Sequence, residues 1–128
     1  MKNKVINIPT NNDIIYRQIL EFLLVGSKFS DQEKDVIAEY IKLNNDYSAL
    51  PVERRIKFLF SSDVRKEVAD KLGMTDANQV STVISKIKKK DYLGAKIFAE
   101  DNSIMKELLI SPDNNQGFQI NINFIQNV

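Results

Sequence analysis

The chain has 128 residues, the size of one domain. Hydrophobic residues make up 43% and charged residues 27%, and the longest apolar run, Phe22 to Val25, is far short of the ~20 residues of a membrane span; a disordered tail and a membrane-spanning chain are both excluded. Lys and Arg number 18 against 17 Asp and Glu, a formal net charge of +1, which excludes a strongly basic chromatin-type protein, and the absence of His, Cys and Trp removes the thiol and imidazole nucleophiles, the zinc finger, the iron–sulfur site and the haem ligand.

These exclusions favour a binding protein over an enzyme, with no cofactor and no metal. Without cysteines there is no disulfide framework, which fits a reducing compartment. Residues 1–12 hold no apolar stretch of signal-peptide length, so the expected location is the cytoplasm. Lys outnumbers Arg 14 to 4, and Ile and Asn are abundant, as in chains encoded by AT-rich genomes.

Lys4 to Ile8 alternates loosely and reads as an edge strand or an ordered arm. Pro9 and the run Thr10-Asn11-Asn12 break it and offer helix caps. From Asp13 the period becomes helical, with Ile15, Ile19, Phe22 and Leu23 on one stripe and a stop near Gly26. Ser30-Asp31-Gln32-Glu33 fits a capping box. The helix behind it carries Val36, Ile37, Tyr40, Ile41 and Leu43 and stops at Asn44-Asn45-Asp46. Its acids Asp31, Glu33, Asp35 and Glu39 read as an exposed face. Pro51 suits the first turn of a third helix, with Val52, Ile56, Leu59 and Phe60 inward. Arg54 and Arg55 read as solvated surface, and the four tyrosines as core or core-edge residues.

The span from Asp63 to Lys90 is the most informative. Val64, Val68 and Leu72 repeat every four residues; Gly73 follows; then Ala77, Val80, Ile84 and Ile87 form a second stripe. Two helices joined by a short turn containing Gly is the helix-turn-helix layout. After Lys90, Tyr92-Leu93 is expected to pack on the core. Residues 96–99 and 104–110 are strand candidates around a turn at Glu100–Ser103, although 105–109 also suits a helix. Phe118, Ile120, Ile122 and Phe124 alternate with polar residues as a half-buried strand.

The stretches Leu72-Gly73-Met74-Thr75, Val80-Ser81 and Ile84-Ser85-Lys86-Ile87-Lys88-Lys89-Lys90 resemble the winged helix-turn-helix domains of bacterial and phage transcriptional regulators, over roughly residues 30–124. Val80-Ser81 begins seven positions after Gly73 where the usual motif has six, so the register of the reading residues differs. The resemblance implies an α+β, mostly α fold: residues 1–29 as an arm and helical extension, residues 30–128 as the winged domain with a small C-terminal antiparallel sheet, the whole forming one compact domain.

At 100° per residue, Asn78, Thr82, Ser85, Lys86 and Lys89 lie opposite the apolar stripe of helix 76–90, with no carboxylate beyond Asp76 at its start. Amide, hydroxyl and ammonium groups are what hydrogen-bond base edges and phosphates. Polar faces are commonly just solvated, but charge separates along the chain: residues 51–96 hold eleven Lys or Arg against six acids, an excess of +5, and the remainder is −4. A basic segment within a near-neutral chain favours nucleic acid. The expected function is sequence-specific binding of double-stranded DNA in transcription regulation. Its candidate contacts are Thr75, Asn78, Thr82, Ser85, Lys86, Lys89, Lys90 and, in the wing, Lys96. The competing reading is a protein-interaction module on the same scaffold, a phage virion component or an adaptor on RNA polymerase. Helix 13–24, with its apolar face, is the candidate homodimer element.

Overall fold

The computed structural model describes residues 7–109; the strand expected at 118–124 lies outside the described residues. The described residues form five α-helices, α1 (Ile15–Leu23), α2 (Asp31–Asp46), α3 (Val52–Leu59), α4 (Ser62–Lys71) and α5 (Ala77–Lys88). A two-stranded antiparallel hairpin, β1 (Asp91–Tyr92) and β2 (Ala95–Lys96), follows them. The protein is thus mostly helical with a small antiparallel sheet.

Four of these helices begin where a side chain satisfies orphan amides, while α3 opens on Pro51 without a side-chain cap. Asn11 Oδ1 accepts from the amides of Asp13 and Ile14 ahead of α1. Ser30 and Glu33 form the predicted capping box on α2, Ser61 caps α4, and Asp76 accepts from the Gln79 amide at 3.0 Å on α5. Between α4 and α5 the chain closes as a Schellman motif. The Met74 amide reaches the Ala69 carbonyl at 2.8 Å and the Gly73 amide reaches Asp70, with Gly73 at φ +70°. That left-handed residue turns the chain, and Met74 packs against the core behind it.

The long helix α2 is the hub, packed against α1, α3 and α5, while α4 packs on α5. Val36, Ile37, Tyr40 and Ile41 of α2 are fully buried. Around them lie Ile19, Leu20 and Leu24, then Leu59, Val68, Val80 and Ile87, all of them buried. Tyr40 stacks on Phe60 at 4.7 Å between ring centroids, and Phe98 meets both rings edge-on. Phe98, with the buried Ile97 and Leu108, thereby fastens the segment after α5 to the helices.

Several expectations need correction. Of the apolar stripe of α1, Ile15 and Ile19 are buried in the same core as α2, together with Tyr16 and Leu20, and Leu23 is half-buried, which leaves Phe22 as its exposed member. Arg17 bridges α1 to α2 through Asp35 at 2.6 Å and also binds Glu21. Glu33 and Glu39 are buried, at 3% and 8% exposure, because lysines distant in sequence reach them. Val52 is exposed rather than inward. Arg55 holds the preceding loop by donating to the carbonyls of Ser48 and Leu50. Residues 104–109 do not form a strand: Ile104 makes one antiparallel bridge to Phe98, and Lys106–Leu108 is a single 3-10 turn. Leu93, expected on the core, is 89% exposed.

Candidate nucleic-acid interface

The turn and cap place the first turn of α5 beside the end of α4. Thr75, ahead of the helix, donates its amide to Gln79 Oε1 at 2.9 Å, while Asp76 takes the Gln79 amide. Gln79 therefore orders the entry of α5 from both sides, a role that the apolar-stripe reading did not single out. A notch of about 250 Å³ opens here, lined by Lys66, Asp70, Thr75, Asp76 and Asn78 among others. Lys66 is the additional cation at this end; its four-residue spacing from Asp70 puts both on the same side of α4.

Val80, Val83, Ile84 and Ile87 bury the inner face of α5 against α2 and α4. This orientation presents the opposite face to solvent. Asn78, Thr82, Ser85, Lys86 and Lys89 are all exposed, so five of the predicted residues are brought together on one ridge. The Thr82 hydroxyl donates to the Asn78 carbonyl at 3.0 Å, which leaves its oxygen as an acceptor. Ser85 and Asn78 keep both donor and acceptor capacity. Among the described residues Lys86 and Lys89 enter no ion pair within 4 Å.

Lys90 and Lys96 do not join that ridge. The Lys90 ammonium turns inward to Glu33, 3.0 Å from Oε2, and donates to the Lys28 carbonyl at 2.9 Å. Burial works to raise the Glu33 carboxyl. The Lys90 ammonium and the Ser30 amide outweigh it and hold the group below its ordinary range. Lys96 pairs with Asp91 at 2.9 Å across the hairpin. Lys71 pairs with Glu39 at 3.0 Å. Two of the five excess charges on residues 51–96 are thus cancelled by Glu33 and Glu39 from outside the segment, leaving three.

The remaining positive charge is uneven along α5. Its C-terminal half carries Lys86, Lys88 and Lys89, while Asp70 and Asp76 flank its start. Beyond β2 the turn Glu100–Ser103 closes a second hairpin-like bend, with the Ala99 amide on the Ser103 carbonyl at 3.0 Å. The Ser103 hydroxyl and amide both bind Asp101 Oδ1 and hold that carboxyl below its ordinary range, so this tip stays anionic. Among the described residues no group of three or more acidic side chains is placed to hold a metal ion, and no helix is long and apolar enough to cross a membrane.

Comparison of the chain with protein-family models, with curated proteins and with solved structures finds no match.

Proposed function

We propose that this protein binds double-stranded DNA in a sequence-specific manner through α5 and acts in the regulation of transcription, as a divergent winged helix-turn-helix domain that uses no cofactor and performs no catalysis. The observation that carries the reading is the exposed ridge of α5. Asn78, Thr82, Ser85, Lys86 and Lys89 stand together on a helix whose other face is locked into the core, and no carboxylate interrupts them. A rigid helix with donors and acceptors along its centre and cations toward one end suits major-groove reading with phosphate anchoring. Asn78, Thr82 and Ser85 are the base-edge candidates, Thr75 sits at the entry, and Lys86 and Lys89 take the phosphates. Lys90 contributes by positioning the end of α5, and Lys96 by closing the hairpin.

Fluorescence anisotropy or mobility shift against genomic fragments tests the proposal. The double variant Lys86→Ala, Lys89→Ala is expected to weaken binding and to lower the slope of log K against log salt by about 2, near one unit per lost phosphate contact. Absence of any shift by the unaltered protein at low salt refutes the reading. The acidic tip at Glu100 and Asp101 favours one alternative, a protein-docking use of the same scaffold. A stoichiometric protein partner without nucleic acid on native purification would select it.

A further inference from the structure

The turn joining β1 to β2 breaks a local rule. Its two central residues are Leu93 at φ +52° and Gly94 at φ +83°, the double left-handed pattern of a two-residue hairpin turn. That pattern favours Asn-Gly, because Asn tolerates the left-handed region and Leu does not. The Leu has no packing reason to be there, since it is 89% exposed. An apolar side chain held outward at a backbone cost is the kind of local inconsistency that marks function.

A second observation joins it. Val25, in the connection between α1 and α2, is 78% exposed. Val25 and Leu93 both line one open groove of about 510 Å³, together with Gly26, Ser27 and Tyr92. Its walls are tied together rather than loosely apposed. The Tyr92 hydroxyl donates to the Leu23 carbonyl at 2.6 Å, and Lys90 donates to the Lys28 carbonyl at 2.9 Å. The groove is therefore preformed, which lowers the ordering cost of an occupant.

Charge decides what fits it. Lys28 and Lys89 border the groove and are exposed, and neither enters an ion pair within 4 Å among the described residues. The acid on this rim, Asp91, is neutralised by Lys96. We infer that the groove lined by Val25 and Leu93 docks an acidic peptide segment of a partner protein, one large apolar side chain covering these two exposed aliphatic groups and flanking carboxylates meeting Lys28 and Lys89. The two aliphatic groups favour a peptide over a nucleic-acid strand, which would need only the cations. The inference stands on this groove and does not require the reading of α5 as a DNA reader.

The test uses the full chain and a fluorescein-labelled hexapeptide with Leu-Phe between pairs of Glu. Saturable binding is expected, with amide shifts in the NMR spectrum confined to residues 25–28 and 89–94. Leu93→Asn, Val25→Ser and Lys28→Glu are each expected to weaken it about tenfold or more, the scale of a hot-spot loss. A control peptide with Ser-Ser at the centre is expected to bind as weakly as those variants. Leu93→Asn keeps the test clean, because Asn-Gly suits the turn and the variant is expected to melt at or above the temperature of the unaltered protein. Equal binding of the two peptides, unchanged binding by Leu93→Asn, or no binding at millimolar peptide overturns the inference. So does a Leu93→Asn variant that loses affinity for duplex DNA alone.

Discussion

The ammonium of Lys90 rests on the carboxylate of Glu33, 57 positions earlier, and so joins the end of α5 to the first turn of α2. Glu33 is at the same time the capping-box acid of α2, accepting from the Ser30 amide. One buried carboxylate thus serves a helix cap and a tertiary tie. Removing its cation leaves a buried, unpaired charge. Lys90→Met is expected to destabilise the fold by about 2–3 kcal/mol, below the ~3–5 kcal/mol of a fully buried pair because Lys90 keeps 31% of its side-chain surface in water. Urea unfolding with an unchanged m-value checks it.

The same pair sets an acid limit. The carboxyl of Glu33 is held below its unfolded value, so its contribution to stability is complete above about pH 4–5 and is lost as pH falls through the lower, folded value. Glu33→Gln is expected to flatten the acid limb of a plot of melting temperature against pH. An acid limb as steep in the variant as in the unaltered protein would place the titrating group elsewhere.

Tyr40 is fully buried, and among the described residues its hydroxyl has no hydrogen-bond partner. Burial holds the phenol protonated far above its ordinary range. Its ring contributes through Phe60 and Phe98, and its oxygen costs desolvation. Tyr40→Phe is therefore expected to be neutral or stabilising by up to about 1 kcal/mol, whereas Tyr40→Ala is expected to cost about 3–5 kcal/mol. Calorimetry on both variants separates ring from hydroxyl.

Gly73 sits at φ +70°, and an added methyl there would meet nothing within 4 Å. The cost of Gly73→Ala is then backbone strain alone, about 1–2 kcal/mol, and Gly73→Asn is expected to cost less than half of that. If the angle between α4 and α5 depends on this turn, the alanine variant also weakens DNA binding beyond its loss of folded protein.

On the proposed reading of α5 as a DNA-binding helix, its exposed residues separate two kinds of loss. Asn78→Ala is expected to relax discrimination at one or two base pairs while leaving the salt slope unchanged. Lys89→Ala is expected to weaken all duplexes alike and to reduce the slope by about 1. Binding-site selection on random duplexes followed by salt titration distinguishes them.

Much of this helical framework is written in local signals. Ser30, Ser61 and Asp76 announce helix starts, and Gly73 a stop, because caps act within four residues of the group they satisfy. The exposed ridge of α5 follows from its apolar stripe for the same reason. What escaped sequence reading depends on contacts across the chain. Glu33 and Glu39 fall at helical spacings that look solvent-facing, and only the reach of Lys90 and Lys71 explains their burial. Lys90 belongs by sequence to a lysine run and by structure to the core margin. The sequence after α5 suits longer strands, since Ile104 to Ile110 is apolar enough for one, and its residues 105–109 suit a helix as well. Its backbone instead pairs only at Ile104 and then tightens into a 3-10 turn, with Leu108 buried. An apolar residue such as Leu93 is expected inward, and it is the two-residue turn between β1 and β2 that faces it outward.

The packing of α1 also bears on how two copies of this chain could associate. Ile15, Tyr16, Ile19 and Leu20 are already covered by α2, so a dimer using that stripe has to lift the helix from its own α2 and lay it on the other copy's. Such an assembly is a domain swap with residues 24–30 as the hinge. Tyr92 holds the chain at Leu23, the last residue of α1 before this hinge, and Lys90 holds it at Lys28 within the hinge. An exchange of that kind would have to break both hydrogen bonds, because they join the two ends of this connection to Lys90 and Tyr92 after α5.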